Sequence, residues 1–319
     1  MGKSKALCIG INYGKTANAL QGCVNDAKNL QKLLVDSGAV AAEDITVLCE
    51  PTGEEICNAI SKLAELSKSQ DLDYTFISYS GHGTQIKDTT GDETDGKDEA
   101  ICPADFGMRG VITDDLLKSL LQQFNNDTTV CFLADACHSG SMLDLNRTYT
   151  SRLCTLSGDA TLPGKIAYIS GCRDTQTSAD AFDQDSRQFT GAMTSALIKA
   201  QKLDEETHHD VFALVAGMKK LLRAGGYSQI PVLSSSFDIP RQFAFIPHRH
   251  RVQVAAKQKT QMTKQPSISQ LCTRWVKVYH LRTQRRSSES TALMALPRLQ
   301  STSSTSKRFG FACSRRICR

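Results

Sequence analysis

No stretch of the 319 residues approaches 18 consecutive apolar positions, so a membrane-spanning helix is excluded. None of the 12 cysteines forms a CxxC pair, which argues against a zinc ribbon or finger. No internal repeat is visible, and the single tryptophan, Trp275, stands alone in a polar stretch. Acid is nearly missing from the C-terminal part. From His248 to Arg319, 16 Lys and Arg face one acid, Glu289. The first 247 residues carry 22 basic and 32 acidic groups. An acidic body thus precedes a basic tail, and the net charge of +5 describes neither. The apolar segment Ala6 to Ile11 is too short for a secretory signal. The cysteines are therefore expected as reduced thiols of a cytoplasmic protein, most of them buried as small hydrophobes.

The body, residues 1–247, is long enough for one domain with a sizeable core. Apolar runs at 6–11, 45–49, 73–79, 129–134, 165–170 and 241–246 read as strands. Between them lie amphipathic helical stretches: 25–35, a helix opened by the capping-box pair Thr52 and Glu55, one capped by Thr113, then 190–201 and 209–224. The Thr113 helix places Leu116, Leu117, Leu120, Leu121 and Phe124 on an apolar stripe. Residues 87–106 read as a Gly- and Asp-rich loop, and about 147–164 as a polar connector. This alternation predicts an α/β fold: a three-layer sandwich with a mostly parallel sheet of six strands, or slightly more, and helices on both faces. Residues 248–319 lack periodicity and are expected to be a basic, disordered tail.

In such folds the chemistry sits at the carboxyl ends of strands. Two strands end in reactive words, Tyr79-Ser-Gly-His-Gly83 and Asp135-Ala-Cys-His-Ser-Gly140. Each places its reactive residue just beyond a buried strand, so His82 and Cys137 can face one crevice. A cysteine nucleophile works as the thiolate, and an imidazole can take its proton. The N–H groups of Gly83 and Cys137 are candidates for an oxyanion hole. Asp135 lies two residues before Cys137 and points to the same side of its strand. A carboxylate at the floor of a cleft invites a cationic substrate side chain.

These words resemble the two catalytic motifs of metacaspases, which are caspase-like cysteine peptidases. Lys5 to Tyr13, Leu20 to Asp26, Gly91 to Glu99, Ile112 to Asp115, Ser170 to Asp180 and Pro231 to Ser236 resemble further family motifs in the same order. The arrangement is similar to type I: a large-subunit-like region (about 1–146), the short connector, and a small-subunit-like region (about 165–247). Neither the prodomain often found ahead of it nor the long linker of type II is present in the sequence.

The resemblance implies a cysteine endopeptidase with Cys137 as nucleophile, His82 as base and His138 outside the dyad. It implies a monomer acting on protein or peptide substrates. It adds Cys23, Asp26 and Ser80 to the pocket of Asp135, and so cleavage after Arg or Lys. Asp26 also reads as a helix-start carboxylate, and Cys23 as packing. The acids Asp88, Asp92, Glu93, Asp95, Asp98 and Glu99 suit calcium as hard oxygen ligands, although without EF-hand spacing, and equally suit a solvated loop. By resemblance the chain is calcium-stimulated, with Asp98, Asp114, Asp115 and Asp144 as ligands and no organic cofactor. Arg147, Arg152 and Lys165 mark the connector for self-cleavage. A non-catalytic caspase-like scaffold is the rival reading. Another is a nucleic-acid-binding role through the tail, which could also take the protein to the nucleus.

Overall fold

Alternate residues of the central strands are apolar on both sides, and each side is buried under helices. The computed structural model describes residues 2–87, 97–137, 139, 142–157, 162, 164–171, 180–183 and 188–248. The elements are β1 (Ser4–Gly10), α1 (Cys23–Asp36), β2 (Ile45–Cys49), α2 (Gly53–Ser69) and β3 (Tyr74–Ser80). There follow β4 (Gly83–Lys87), β5 (Lys97–Ile101), α3 (Phe106–Arg109), β6 (Ile112–Thr113), α4 (Asp114–Leu121) and β7 (Thr129–Asp135). The rest are β8 (Arg147–Thr150), β9 (Leu153–Leu156), β10 (Lys165–Ser170), β11 (Asp180–Asp183), β12 (Gln188–Gly191), α5 (Ala192–Leu203), α6 (Val211–Ala224) and β13 (Val232–Ser235).

The central sheet has eight strands in the order β2-β1-β3-β7-β10-β13-β8-β9. The first five are parallel, and the last three are added antiparallel. Pleating sends successive side chains to opposite faces. Ala6, Cys8, Phe76, Cys131, Leu133, Ala167 and Ile169 meet Leu30 and Leu34 of α1, Leu197 of α5 and Leu214 of α6. Leu7, Ile9, Ile77, Tyr79, Phe132 and Tyr168 meet Ile56 and Ile60 of α2 and Leu117 and Leu120 of α4. The result is a three-layer sandwich. Thr52 and Glu55 form the expected capping box, and the Thr113 hydroxyl accepts from Leu116 N–H, so both helices start where the sequence predicts.

Four expectations are corrected. The loop at 87–106 contains strand: β4, β5 and β6 form a separate three-stranded antiparallel sheet. Hydrophobic alternation does not reveal it, because β5 carries only two apolar residues, Ala100 and Ile101, and they are adjacent. The connector is not irregular. β8 and β9 form a hairpin that extends the central sheet through β13, with Tyr149 buried beneath it. Arg147 lies within the β8 ladder and donates to the Ser236 carbonyl, while Arg152 pairs with Asp210 and lies over the Phe212 ring. Arg147 is thus part of the sheet, and Arg152 sits in the exposed turn between β8 and β9. Residues 241–246 are not a strand. Their carbonyls are committed elsewhere: Phe243 O accepts from Val211 N at the start of α6, and Phe245 O from the Tyr74 hydroxyl. Finally, Leu116 is exposed on α4, outside the stripe that holds Leu117, Leu120 and Leu121.

Candidate active site

β3 and β7 lie side by side and in register to their last residues, where Ser80 is level with Asp135. Their continuations carry His82 and Cys137, so one parallel pairing brings the two sequence words to the same edge. The contact is backbone to backbone. Gly81 N–H donates to Asp135 O (3.3 Å), and a Cβ added at Gly83 would fall 2.0 Å from the Cys137 carbonyl oxygen. Only glycine permits that approach. Both His82 and Cys137 are part-exposed, whereas the strand residues behind them are buried.

His82 is held from three sides. Its Nε2 lies 2.6 Å from the Asn18 carbonyl oxygen. A carbonyl can only accept, so Nε2 carries the proton and Nδ1 is the basic nitrogen of the neutral ring. Its backbone N–H donates to the Tyr13 hydroxyl (2.9 Å), and the two rings lie 4.7 Å apart between centroids. The Tyr13 hydroxyl in turn donates to Cys102 O (2.5 Å) and sits 3.1 Å from the Tyr79 hydroxyl, which donates to His82 O. Burial pushes both tyrosines well above the ordinary phenol range, so they act as neutral hydrogen-bonding groups at physiological pH. Tyr13 has a φ of 54°, unfavourable for a residue with a side chain. The Glu50 carboxylate stabilises that turn by accepting from Asn12 N–H (2.7 Å) and Tyr13 N–H (3.1 Å).

The four residues expected in the pocket come from three elements, α1, β3 and β7. Gly10, Ser80 and Asp135 are level across β1, β3 and β7. A Cβ at Gly10 would lie 2.2 Å from Cys23 O, so this glycine lets α1 start directly on the sheet, which delivers Cys23 and Asp26. Ala134 belongs to the α2/α4 side, so Asp135 faces α1 and α5. Asp26 and Asp135 are both buried, and a Cβ at Gly191 would lie 2.8 Å from Asp26 Oδ2 and 2.2 Å from Asp135 Oδ2. The two carboxylates thus converge on one glycine. Gly191 N–H donates to both oxygens of Asp26 (3.0 and 2.9 Å). Thr194, in the first turn of α5, donates its N–H (3.0 Å) and hydroxyl (2.9 Å) to Asp135 Oδ2. These donors and the helix N-terminus favour the charged form of both carboxylates and ease their burial. Cys23 and Ser80 are buried beside them.

The third group is acidic and lies around α4. Lys118 Nζ sits 2.7 Å from Asp144 Oδ2, 3.2 Å from Asp115 Oδ1 and 3.6 Å from Asp114 Oδ2. Asp98 is buried on β5 and is not one of the three carboxylates around Lys118. Burial pushes the Asp114 carboxyl up to about 7, against the pull of Lys118. Burial alone would lower Lys118, but the bond to Asp144 and the charges of Asp144 and Asp114 outweigh it and hold the ammonium above its ordinary range. Asp144 has a φ of 40°. An all-oxygen set converging on one cationic atom fits a hard cation in its chemistry. Among the described residues, no three acids, histidines or cysteines are spaced to hold a metal ion as they stand.

Residues 4–146 match the family described as metacaspase, peptidase C14 domain. Metacaspase-1 of Saccharomyces cerevisiae is 33% identical over 303 aligned positions, which cover 77% of this chain and 69% of the yeast protein. The chain belongs to the metacaspase family. Metacaspase-1 of Yarrowia lipolytica is also 33% identical, with 77% of this chain and 64% of that protein covered. A crystal structure of a Geobacter sulfurreducens protein matches with a TM-score of 0.57 at 26% identity, over 77% of this chain and 100% of that one. The Drosophila initiator caspase Dronc matches with a TM-score of 0.50 at 11% identity, over 76% and 83%, a likeness of fold: the sandwich is caspase-like. This metacaspase is accordingly a cysteine-type endopeptidase.

Within this metacaspase, sequence reasoning missed the residues that contact His82, Asp26 and Asp135 or brace those contacts: Asn18, Tyr13, Glu50, Gly191 and Thr194. Tyr13 lay inside a family motif, but nothing in its spacing linked it to His82, 69 residues away. His138, Asp88, Asp92, Glu93, Asp95, residues 172–179 and the tail from 249 onward lie outside the described residues. The eight described cysteines are free thiols, as expected. Burial pushes Cys8 up to about 12 and Cys102 up to about 11, which leaves both as thiols at neutral pH. In Tyr13→Phe the ring is retained, but the part-buried His82 N–H and the buried Cys102 O lose a partner. The expected result is a stability loss of about 1–3 kcal/mol in urea unfolding, with kcat down about tenfold and KM little changed. A kcat equal to wild type would remove Tyr13 from the support of His82.

Proposed function

We propose that this metacaspase cleaves polypeptides after Arg or Lys through Cys137 and His82, and that calcium stimulates it. The observation that carries the specificity is the convergence of two buried carboxylates, Asp26 and Asp135, beside the strand ends that bear the dyad. A guanidinium or ammonium entering there would meet two buried acids of opposite charge.

In the proposed reaction, His82 Nδ1 takes the Cys137 thiol proton and the thiolate attacks the carbonyl carbon after the basic residue. The developing oxyanion is received by the N–H groups of Gly83 and Cys137. The C–N bond then breaks, the imidazolium delivers its proton to the leaving amine, and an acyl thioester remains on Cys137. Water, deprotonated by His82, hydrolyses that thioester and returns the thiol. The residues that would hold calcium are Asp114, Asp115 and Asp144, with Asp98 nearby in sequence order. Bound there, the ion would neutralise mutually repelling carboxylates.

The test is a pair of fluorogenic peptides ending in Arg and in Asp, assayed with the full-length protein with and without calcium. The Arg-ended peptide is expected to be cleaved with a kcat/KM about 100-fold or more above the Asp-ended one, a difference on the order of 2.7 kcal/mol. It is also expected to respond to calcium. Preference for the Asp-ended peptide would overturn the pocket assignment. Equal rates with calcium and with chelator would overturn the stimulation.

A further inference from the structure

The calcium reading leaves one group unaccounted for. Lys118 Nζ occupies the point on which Asp114, Asp115 and Asp144 converge, within 3.6 Å of all three. It is no surface partner: its side chain is 16% exposed, and that of Asp114 is 2% exposed. Its position is set by secondary structure. Asp114 and Asp115 open α4, and Lys118 follows at i+4 and i+3 on the same helical face, while Asp144 reaches in from the loop after β7. The lysine and two of the acids are therefore held together by a single turn of helix, whatever the solvent contains.

We propose that Lys118 is a built-in cation that competes with calcium for this acidic cluster, and so raises the calcium concentration at which the cluster is filled. The inference rests on the calcium reading above and goes beyond it by naming the residue that sets the threshold. An ammonium and a divalent ion cannot share three carboxylates at these distances without strong repulsion. Calcium entry then requires the Lys118 side chain to swing out. Its four-carbon stem permits this, but the swing costs the hydrogen bond to Asp144. In the absence of calcium the ammonium keeps the three acids together and the loop carrying Asp144 anchored to α4. The cluster thus has two alternative cations, one covalent and one dissolved.

The test is calcium binding measured by titration calorimetry on the full chain carrying Cys137→Ala, with and without Lys118→Met. Methionine keeps the length and removes the charge. Lys32→Met serves as a control for net charge, because Lys32 pairs with Asp36 on the exposed face of α1, away from the cluster. Lys118→Met is expected to tighten calcium binding by about tenfold or more, and Lys32→Met to leave it unchanged. With chelator, Lys118→Met is expected to melt at a lower temperature than its parent, and calcium to raise its melting temperature by more. If parent and Lys118→Met bind calcium equally, or Lys118→Met binds more weakly, the competition is refuted while the calcium reading stands. Equal tightening by Lys32→Met would also refute it. If neither protein binds calcium, the calcium reading falls and the competition with it.

Discussion

Cys137→Ala is expected to reduce hydrolysis of an Arg-ended peptide by about 10⁴-fold or more, to the limit of detection. The reason is that the reaction passes through a bond to sulfur, and the described thiols nearest in kind cannot take over. Cys102 is buried and held up at about 11, partly by the charge of Cys137 itself. His82→Ala is expected to cost a similar factor, and the double variant little more, since the two groups act as one unit. Neither substitution should lower stability much, because both side chains lie at the part-exposed rim beyond the buried strands. The measurement is kcat/KM with active-site titration by an alkylating agent, alongside thermal melting. Activity of Cys137→Ala within tenfold of wild type would eliminate Cys137 as nucleophile and favour the scaffold reading over the mechanism proposed for this chain.

Gly191→Ala is expected to lower kcat/KM toward Arg- and Lys-ended peptides by about 100-fold or more, while the Cys137 thiol stays as reactive toward iodoacetamide as before. The backbone at Gly191 is in an ordinary extended conformation, φ −63° and ψ 137°, so alanine meets no torsional penalty there. The penalty is contact. The new methyl would lie 2.2 Å from Asp135 Oδ2 and 2.8 Å from Asp26 Oδ2, distances no carbon and oxygen tolerate. One or both acids must move from the point on which a basic side chain would be received. Some stability loss, about 1–3 kcal/mol, is expected from overpacking and is read separately by urea unfolding. The selective result is loss of turnover with retained alkylation of Cys137. Unchanged kcat/KM toward basic peptides would show that Asp26 and Asp135 are a structural pair and not the pocket.

Much of this site could be read along the chain. His82 and Cys137 each follow a run of buried strand residues, and a parallel sheet presents such ends together. Asp135 could be assigned a side from alternation alone, and the structure places it facing α1 and α5. The capping residues Thr52 and Thr113 marked two helix starts because a cap is satisfied within three residues. The strands β4, β5, β8 and β9 escaped notice because their ladders are made with partners whose identity local pattern does not encode, and no residue of β4 or β9 is buried. Residues 241–246 show the converse. An apolar alternation suited to a strand was claimed by the start of α6 and by Tyr74.

The sequence by itself determined the two reactive words at 79–83 and 135–140, the acidic character of the body and the strand–helix alternation, because each depends on residue type and short spacing. Only the tertiary structure decided what those groups touch. It joined Asp26 and Asp135 at Gly191 across 165 residues, fixed the His82 ring through Asn18 and Tyr13, and set Lys118 among three acids. Such contacts are settled by which strands pair and which helices cover them. That choice belongs to the packing of the whole sheet and is recorded in no single segment of the chain.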